Sequence, residues 1–341
     1  MIEEQNICKY RGSADLITDG DLPEREERPI DWPAYNEAQT SEALLFQELL
    51  HSILLNVVPD EPSSRGKGRP KIGLRDVLFC CAFKVYLGKS SRRTMSFLEY
   101  AKKQGYIQKV PHFNSILNYF GRPEMNTALY GILDESCKPL RCVETDFAVD
   151  ATGFGTMYYR RWFDDEYKKH KVRKEFVKAH AICGVKTNIV TGIIVTDGHK
   201  HETKCFGDLI DSTAKNFLIK EVLADPAYLA DKNLEKVEEY GGTPYILFTS
   251  RNSATPTDIY RRSAIWMRMV LLFHEHREEY LKHYHMRSNV ESLFSMIKRK
   301  FSPTLLSKKE EARVNELLMM FLCHNLVVLI HEMIESGIDV K

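Results

Sequence analysis

The stretch Phe147-Ala148-Val149-Asp150-Ala151-Thr152-Gly153 decides the fold of this chain. It reads as a buried strand, with Asp150 closing the apolar run of Phe147, Ala148 and Val149. Downstream, Ala179–Val185 and Ile189–Asp197 are apolar β-type runs joined by Lys186-Thr187-Asn188, which predicts a hairpin. A helix across 203–216 follows, then a strand at Glu221–Asp225, a helix across 229–240 and a strand at Tyr245–Thr249. Helices near 258–281, 284–300 and 311–336 complete the chain. The order β-β-β-α-β-α-β-α predicts an α/β fold, a mixed sheet flanked by helices.

Upstream of this stretch the character is different. Residues 1–40 are acidic and interrupted by Pro23, Pro29 and Pro33, and they read as a weakly ordered arm. A helix is expected at 41–57 with Ser41 as its N-cap, followed by a linker rich in Pro, Gly, Ser and basic residues. Residues 74–88 are apolar enough for a buried helix that stops at Gly88. Ser90 or Ser91 caps a second helix ending near Gly105, and a third runs from about Pro111 to Gly121. Three short helices separated by turns are similar to a helix-turn-helix module, with 111–120 lying in a DNA groove. The same pattern also suits a small helical bundle without a ligand. The expected organisation is thus an arm at 1–40, an all-α DNA-binding region at 41–140 and an α/β domain at 141–341.

A formal net charge of +1 neither favours nor excludes a polyanionic partner, so its distribution matters more. The first 31 residues are predominantly acidic, whereas Arg65–Lys71, Lys168–Lys178 and Lys298–Lys300 are basic clusters of the kind that neutralise phosphate. The eight cysteines show no C-x-x-C spacing, Cys80 and Cys81 sit inside an apolar run, and no secretory leader is visible. No run approaches about 18 uninterrupted apolar residues, so no membrane contact is expected. A reduced, cytoplasmic protein is the expectation.

Asp225 closes Val222-Leu223-Ala224 as Asp150 closes its own run. Two carboxylates at the ends of neighbouring strands point into the cleft beyond the sheet edge and repel one another unless a cation intervenes. Hard oxygen donors select Mg²⁺ or Mn²⁺ over zinc. The segment 284–300, YHMRSNVESLFSMIKRK, then places Tyr284, Arg287, Glu291 and Lys298 within an arc of about 60° on one helix face. Val290, Leu293, Phe294 and Ile297 gather on an adjoining face suited to packing on the sheet. A surface salt-bridge ladder would explain Arg287 beside Glu291, but not Tyr284 and Lys298 on the same stripe.

The spacing Y-x2-R-x3-E-x6-K resembles the YREK signature of insertion-sequence DDE transposases. Asp150-Ala151-Thr152 is similar to the first-Asp motif D-x-T of that family, and Asp225-Pro226-Ala227-Tyr228 to the second-Asp motif. Tyr245–Phe248 followed by Arg251-Asn252-Ser253-Ala254 is similar to the strand and polar loop that come next, with Arg251 where relatives often carry Lys. The resemblance runs in order from about 145 to 330. It implies a ribonuclease-H-like catalytic domain in which Asp150, Asp225 and Glu291 hold two Mg²⁺ or Mn²⁺ ions. It further implies that Tyr284, Arg287, Lys298 and Arg251 contact DNA, and that a homodimer acts on paired transposon ends. The reaction implied is cleavage of DNA and transfer of its 3′ ends to a target. Only 65 residues separate Asp225 from Glu291, which matches the compact branch without a large insertion domain. A non-catalytic DNA-binding protein that keeps the fold, or a nuclease without strand transfer, are the alternatives.

The remaining signals are weaker. His199-Lys-His201, His274-Glu-His276 and His283-Tyr-His285 lack cysteines at finger spacing, so tetrahedral zinc is not expected, although His201 would lie near the cleft. Trp162 and Trp266 are large enough to stack on an unpaired base, yet a lone Trp more often belongs to the core. Gly66–Pro70 reads as a flexible linker in preference to a minor-groove arm.

Overall fold

The computed structural model describes residues 30–59, 72–156, 176–198, 202–248 and 262–339. Most of the arm, Gly66–Pro70, Trp162, His199, His201 and Arg251 lie outside the described residues. Helix α1 (Trp32–Val57) begins nine residues ahead of the expected start at Ser41. Asp31 is its cap, accepting the Ala34 N–H at 3.2 Å, and Pro33 sits in the first turn, where a missing N–H costs nothing. The proline that reads as a breaker in the sequence is therefore part of the helix start.

Helices α2 (Leu74–Leu87), α3 (Ser91–Lys103) and α4 (Phe113–Tyr119) follow the expected order. Gly88 ends α2 in the left-handed region at φ 61°, and the Ser90 hydroxyl caps α3. Cys80 and Cys81 are fully buried in α2. Helix α5 (Pro123–Cys137), with Pro123 in its first turn, was not anticipated.

Among the described residues the sheet has six strands: β1 (Asp146–Thr156), β2 (Phe176–Gly184), β3 (Val190–Asp197), β4 (Glu221–Ala224), β5 (Thr243–Ile246) and β6 (Thr304–Leu305). Their order is β3-β2-β1-β4-β5, with β6 pairing the far end of β1. The β1–β2 and β2–β3 pairs are antiparallel and the β1–β4 and β4–β5 pairs are parallel, so the sheet is mixed, as expected. Between these strands run α6 (Phe206–Ala214), α7 (Asp231–Glu239), α8 (Ala264–Glu275), α9 (Arg277–His285) and α10 (Ser288–Phe301), before the long α11 (Glu310–Glu335).

The β2–β3 hairpin turn is held from two sides. The buried Glu144 carboxylate accepts from the Lys186 and Thr187 N–H groups and the Thr187 hydroxyl. Gly184 stands where a Cβ would collide with that carboxyl group. From the other side, His324 Nε2 donates to the Asn188 carbonyl at 3.0 Å.

Helix α11 is long and apolar enough by composition to cross a bilayer, unlike the expectation from uninterrupted runs. Yet 72% of its most apolar window is buried inside the protein. It is the central core helix, packed on α1, α2 and α5 and on β2, β3 and β6. Its polar residues are docking points: Asn315 donates to the Phe120 carbonyl, and Glu316 accepts from the N–H groups of Leu306 and Ser307.

Burial pushes the His324 imidazole down to about 4 from an ordinary value of 6.5, against a smaller upward pull from its bond to Asn188. The folded protein holds His324 neutral while the unfolded chain takes up a proton near 6.5. Its contribution is therefore complete above about pH 6.5 and is lost as pH falls toward 4, a loss on the order of 3 kcal/mol. Urea midpoints of the wild type should fall across that window. His324→Gln should show a flatter pH dependence, and an equal slope in both proteins would contradict this account.

Candidate active site

The site forms where β4 stops short of β1. Register pairs Asp146–Val149 of β1 with Glu221–Ala224 of β4, and there β4 ends. Pro226 has no N–H to continue the ladder, and Asp225 turns the chain by accepting the Ala227 N–H at 3.0 Å. On its other side, β1 stays paired with β2 from Phe147 to Gly155. Asp150 thus does not terminate its strand, as the sequence implied; it lies in the middle of an eleven-residue strand. What ends beside it is the neighbouring strand, which opens a notch on that edge of β1 until β6 rejoins at Gly155.

Helix α10 packs on β1 and β2 through Val290, Leu293, Phe294 and Ile297, all buried, as the adjoining apolar face required. Glu291 is in its first turn and Lys298 two turns further on. The helix does not continue back to Tyr284. Helix α9 ends at His285, Met286 closes it, and Tyr284 belongs to that preceding helix. The break divides the expected single helix, because the Met286, Arg287, Asn289 and Val290 N–H groups bond carbonyls three residues back, a tighter turn than the α-helix. The expected helix across 258–281 is likewise divided, with His276 at φ −129° between α8 and α9.

Arg287, at the start of α10, gathers the three acids. Its Nη1 lies 3.5 Å from Asp150 Oδ2 and 4.0 Å from Asp225 Oδ2, and its Nη2 is 2.8 Å from Glu291 Oε1. Burial acts to lower the Arg287 pKa, but Tyr284, Glu291, Asp150 and Asp225 together outweigh it and raise it. The Tyr284 ring centroid is 5.8 Å from the guanidinium. Burial raises the Tyr284 phenol, and Arg287 partly offsets this. Buried at 8% exposure, Tyr284 supports the arginine from behind, and the Arg287 N–H bonds the Tyr284 carbonyl at 3.0 Å. Further along α10, the Lys298 ammonium donates to the Thr152 hydroxyl at 2.6 Å.

The donor set is three carboxylates on three elements, the chemistry of a hard divalent cation. As placed, the carboxylates surround a guanidinium, and among the described residues no three His, Cys, Asp or Glu groups sit closely enough to grip an ion directly. The residue types fit Mg²⁺ or Mn²⁺; the spacing is that of an arginine-bridged cluster.

Residues 141–326 match the family model described as "Transposase DDE domain". The chain belongs to this family. The match covers more than half of the chain and includes all of β1 to α10, the elements that build the notch. Neither curated proteins nor solved structures gave a match. Transposases of this family act on DNA, and the six-stranded mixed sheet flanked by helices is consistent with a ribonuclease-H-like transposase fold.

Of the residues singled out in the sequence, Asp150, Asp225, Glu291, Arg287 and Tyr284 come together, and Lys298 lies along the same helix beside Thr152. Trp266 does not join them: it is buried against Phe248, with ring centroids 5.5 Å apart. Two roles were missed. Arg287 was expected only as a phosphate contact, and no role was assigned to Thr152. The signal for Thr152 was its place two residues after Asp150, which puts both on one face of β1.

Proposed function

We propose that this chain is an insertion-sequence transposase of the YREK group, a compact member that binds element ends, cleaves DNA and transfers the 3′ ends. The carrying observation is the convergence of Asp150, Asp225 and Glu291 on Arg287 at the β4 notch. Asp150, Asp225 and Glu291 would hold two Mg²⁺ or Mn²⁺ ions. Such ions, when bound, supply the positive charge that activates the attacking oxygen and stabilises the departing one. The chain's own part is orientation. The strand fixes Asp150, the capped turn after Ala224 fixes Asp225, and α10 fixes Glu291 while presenting Arg287 and Lys298 to phosphates.

In this reading, helices α2 to α4 bind end DNA, and α4 with its cap exposes His112, Asn114, Leu117 and Asn118. The working unit is a homodimer on paired ends, in the cytoplasm at the nucleoid. The test is incubation of the full chain with Mg²⁺, DNA from the flanks of its gene and a target plasmid. Joined products support transposition. Cleavage alone would make it a nuclease, and binding alone a non-catalytic relative.

The arginine-bridged cluster has its own consequence. In Arg287→Ala the three carboxylates lose their internal counter-ion, and Mn²⁺ binding to the DNA-free protein should tighten by roughly tenfold. Electron paramagnetic resonance of free Mn²⁺ measures this directly. Unchanged or weaker Mn²⁺ binding would mean that Arg287 does not compete for those carboxylates.

A further inference from the structure

The charged groups of α10 differ in how they are partnered. Arg287 faces three carboxylates, and Lys300 pairs with Glu42 at 2.6 Å. Lys298 is half-buried, and its polar contact is a neutral one, the Thr152 hydroxyl at 2.6 Å. Its nitrogen also lies 5.2 Å from the centroid of the fully buried Phe154 ring. Among the described residues no carboxylate neutralises it, and burial alone acts on its pKa, lowering it.

Partly removing an ammonium from water without an opposite charge leaves a desolvation cost that an incoming anion offsets. Asp150, Thr152 and Phe154 alternate along β1, so all three lie on the face that α10 covers. The contact therefore ties the lysine to the same strand face as the first acid of the site. A threonine hydroxyl that accepts from lysine still has its own proton to donate, and the ammonium has two donors left.

We propose that Thr152 is a positioning residue for the DNA-processing site: it pins the Lys298 ammonium and shares with it a two-donor cradle for a phosphate oxygen of DNA. This rests on the transposase reading of the Asp150 notch. In the free protein the cradle is closed on itself by the lysine–threonine bond. In the complex one phosphate oxygen accepts from both groups, and the strand decides where along α10 that phosphate is held.

The test uses the full chain as wild type, Thr152→Ser and Thr152→Val. The first variant keeps the hydroxyl and the second replaces it with a methyl of similar shape. Each is acetylated with acetic anhydride, with and without a mixed-sequence DNA duplex bearing a free 3′ end, and Lys298 modification is read by mass spectrometry. DNA should protect Lys298 in the wild type and in Thr152→Ser. In Thr152→Val the protection should fall by roughly tenfold or more, the worth of one lost hydrogen bond to a charged group. Melting temperature and protection at other lysines should stay unchanged. Thr152→Ala gives the same readout if valine perturbs the strand. Full protection in folded Thr152→Val and Thr152→Ala would overturn the role of Thr152 while leaving the site reading intact. Absence of protection in the wild type, with DNA bound elsewhere, would overturn the site reading and this proposal with it.

Discussion

Asp150→Asn should abolish metal-dependent DNA cleavage, lowering the rate by on the order of a thousandfold or more, while DNA binding persists. The substitution changes charge and very little else. Asparagine keeps an oxygen that can accept the Ala151 N–H, as Asp150 Oδ1 does at 2.7 Å, and the position lies within a continuous strand paired to β2. What is lost is one of three negative charges around Arg287, and with it one of the carboxylates that would hold metal. Asp225→Asn and Glu291→Gln should behave alike, since their charges meet the same guanidinium. The measurement is cleavage of end-labelled DNA with Mg²⁺, beside gel-shift binding. A variant that cleaves near the wild-type rate would remove its residue from the site.

Asn325→Leu should cost about 3–5 kcal/mol of stability, enough to unfold a marginal domain. Asn325 is fully buried in α11, where its carboxamide accepts the Val190 N–H and donates to the Val190 carbonyl and to the Ser136 hydroxyl, each at 2.9 Å. It therefore closes the start of β3 and the end of α5 on the core helix at once. Leucine fills a similar volume but leaves the buried Val190 N–H and carbonyl with their desolvation cost uncompensated, while the Ser136 hydroxyl keeps only its bond to the Leu133 carbonyl. Asn325→Asp is a useful companion, because it keeps the acceptor and loses the donors. Urea unfolding at neutral pH reads the effect, and a midpoint within error of wild type would contradict it.

The legible parts of this fold were those that local chemistry sets. The apolar runs around Asp150 and Asp225 became β1 and β4, the Lys186–Asn188 turn closed a hairpin, and Gly88 stopped α2. The apolar stripe of α10 packed on the sheet because Val290, Leu293 and Ile297 recur at helical spacing. Boundaries that depend on distant contacts were misread. Pro33 looked like a breaker, but it sits in the first turn of α1, where no N–H is needed, and the helix it opens packs along α11, far away in sequence. The run 284–298 looked continuous, but a tighter turn through Met286 and Arg287 divides it between α9 and α10.

The sequence by itself determined which residue types carry the chemistry: three carboxylates in order along the chain, with arginine and lysine at helical spacing from the last. Periodicity and side-chain type are local properties, and they survive without knowledge of the fold. Only the tertiary structure decided that Arg287 sits among all three acids, that Tyr284 backs it from a separate helix, and that Thr152 holds Lys298 across 146 residues of chain. Those contacts depend on where β4 ends and how α10 crosses the notch. The angle and depth of that crossing come from packing against the whole core, which no local pattern encodes.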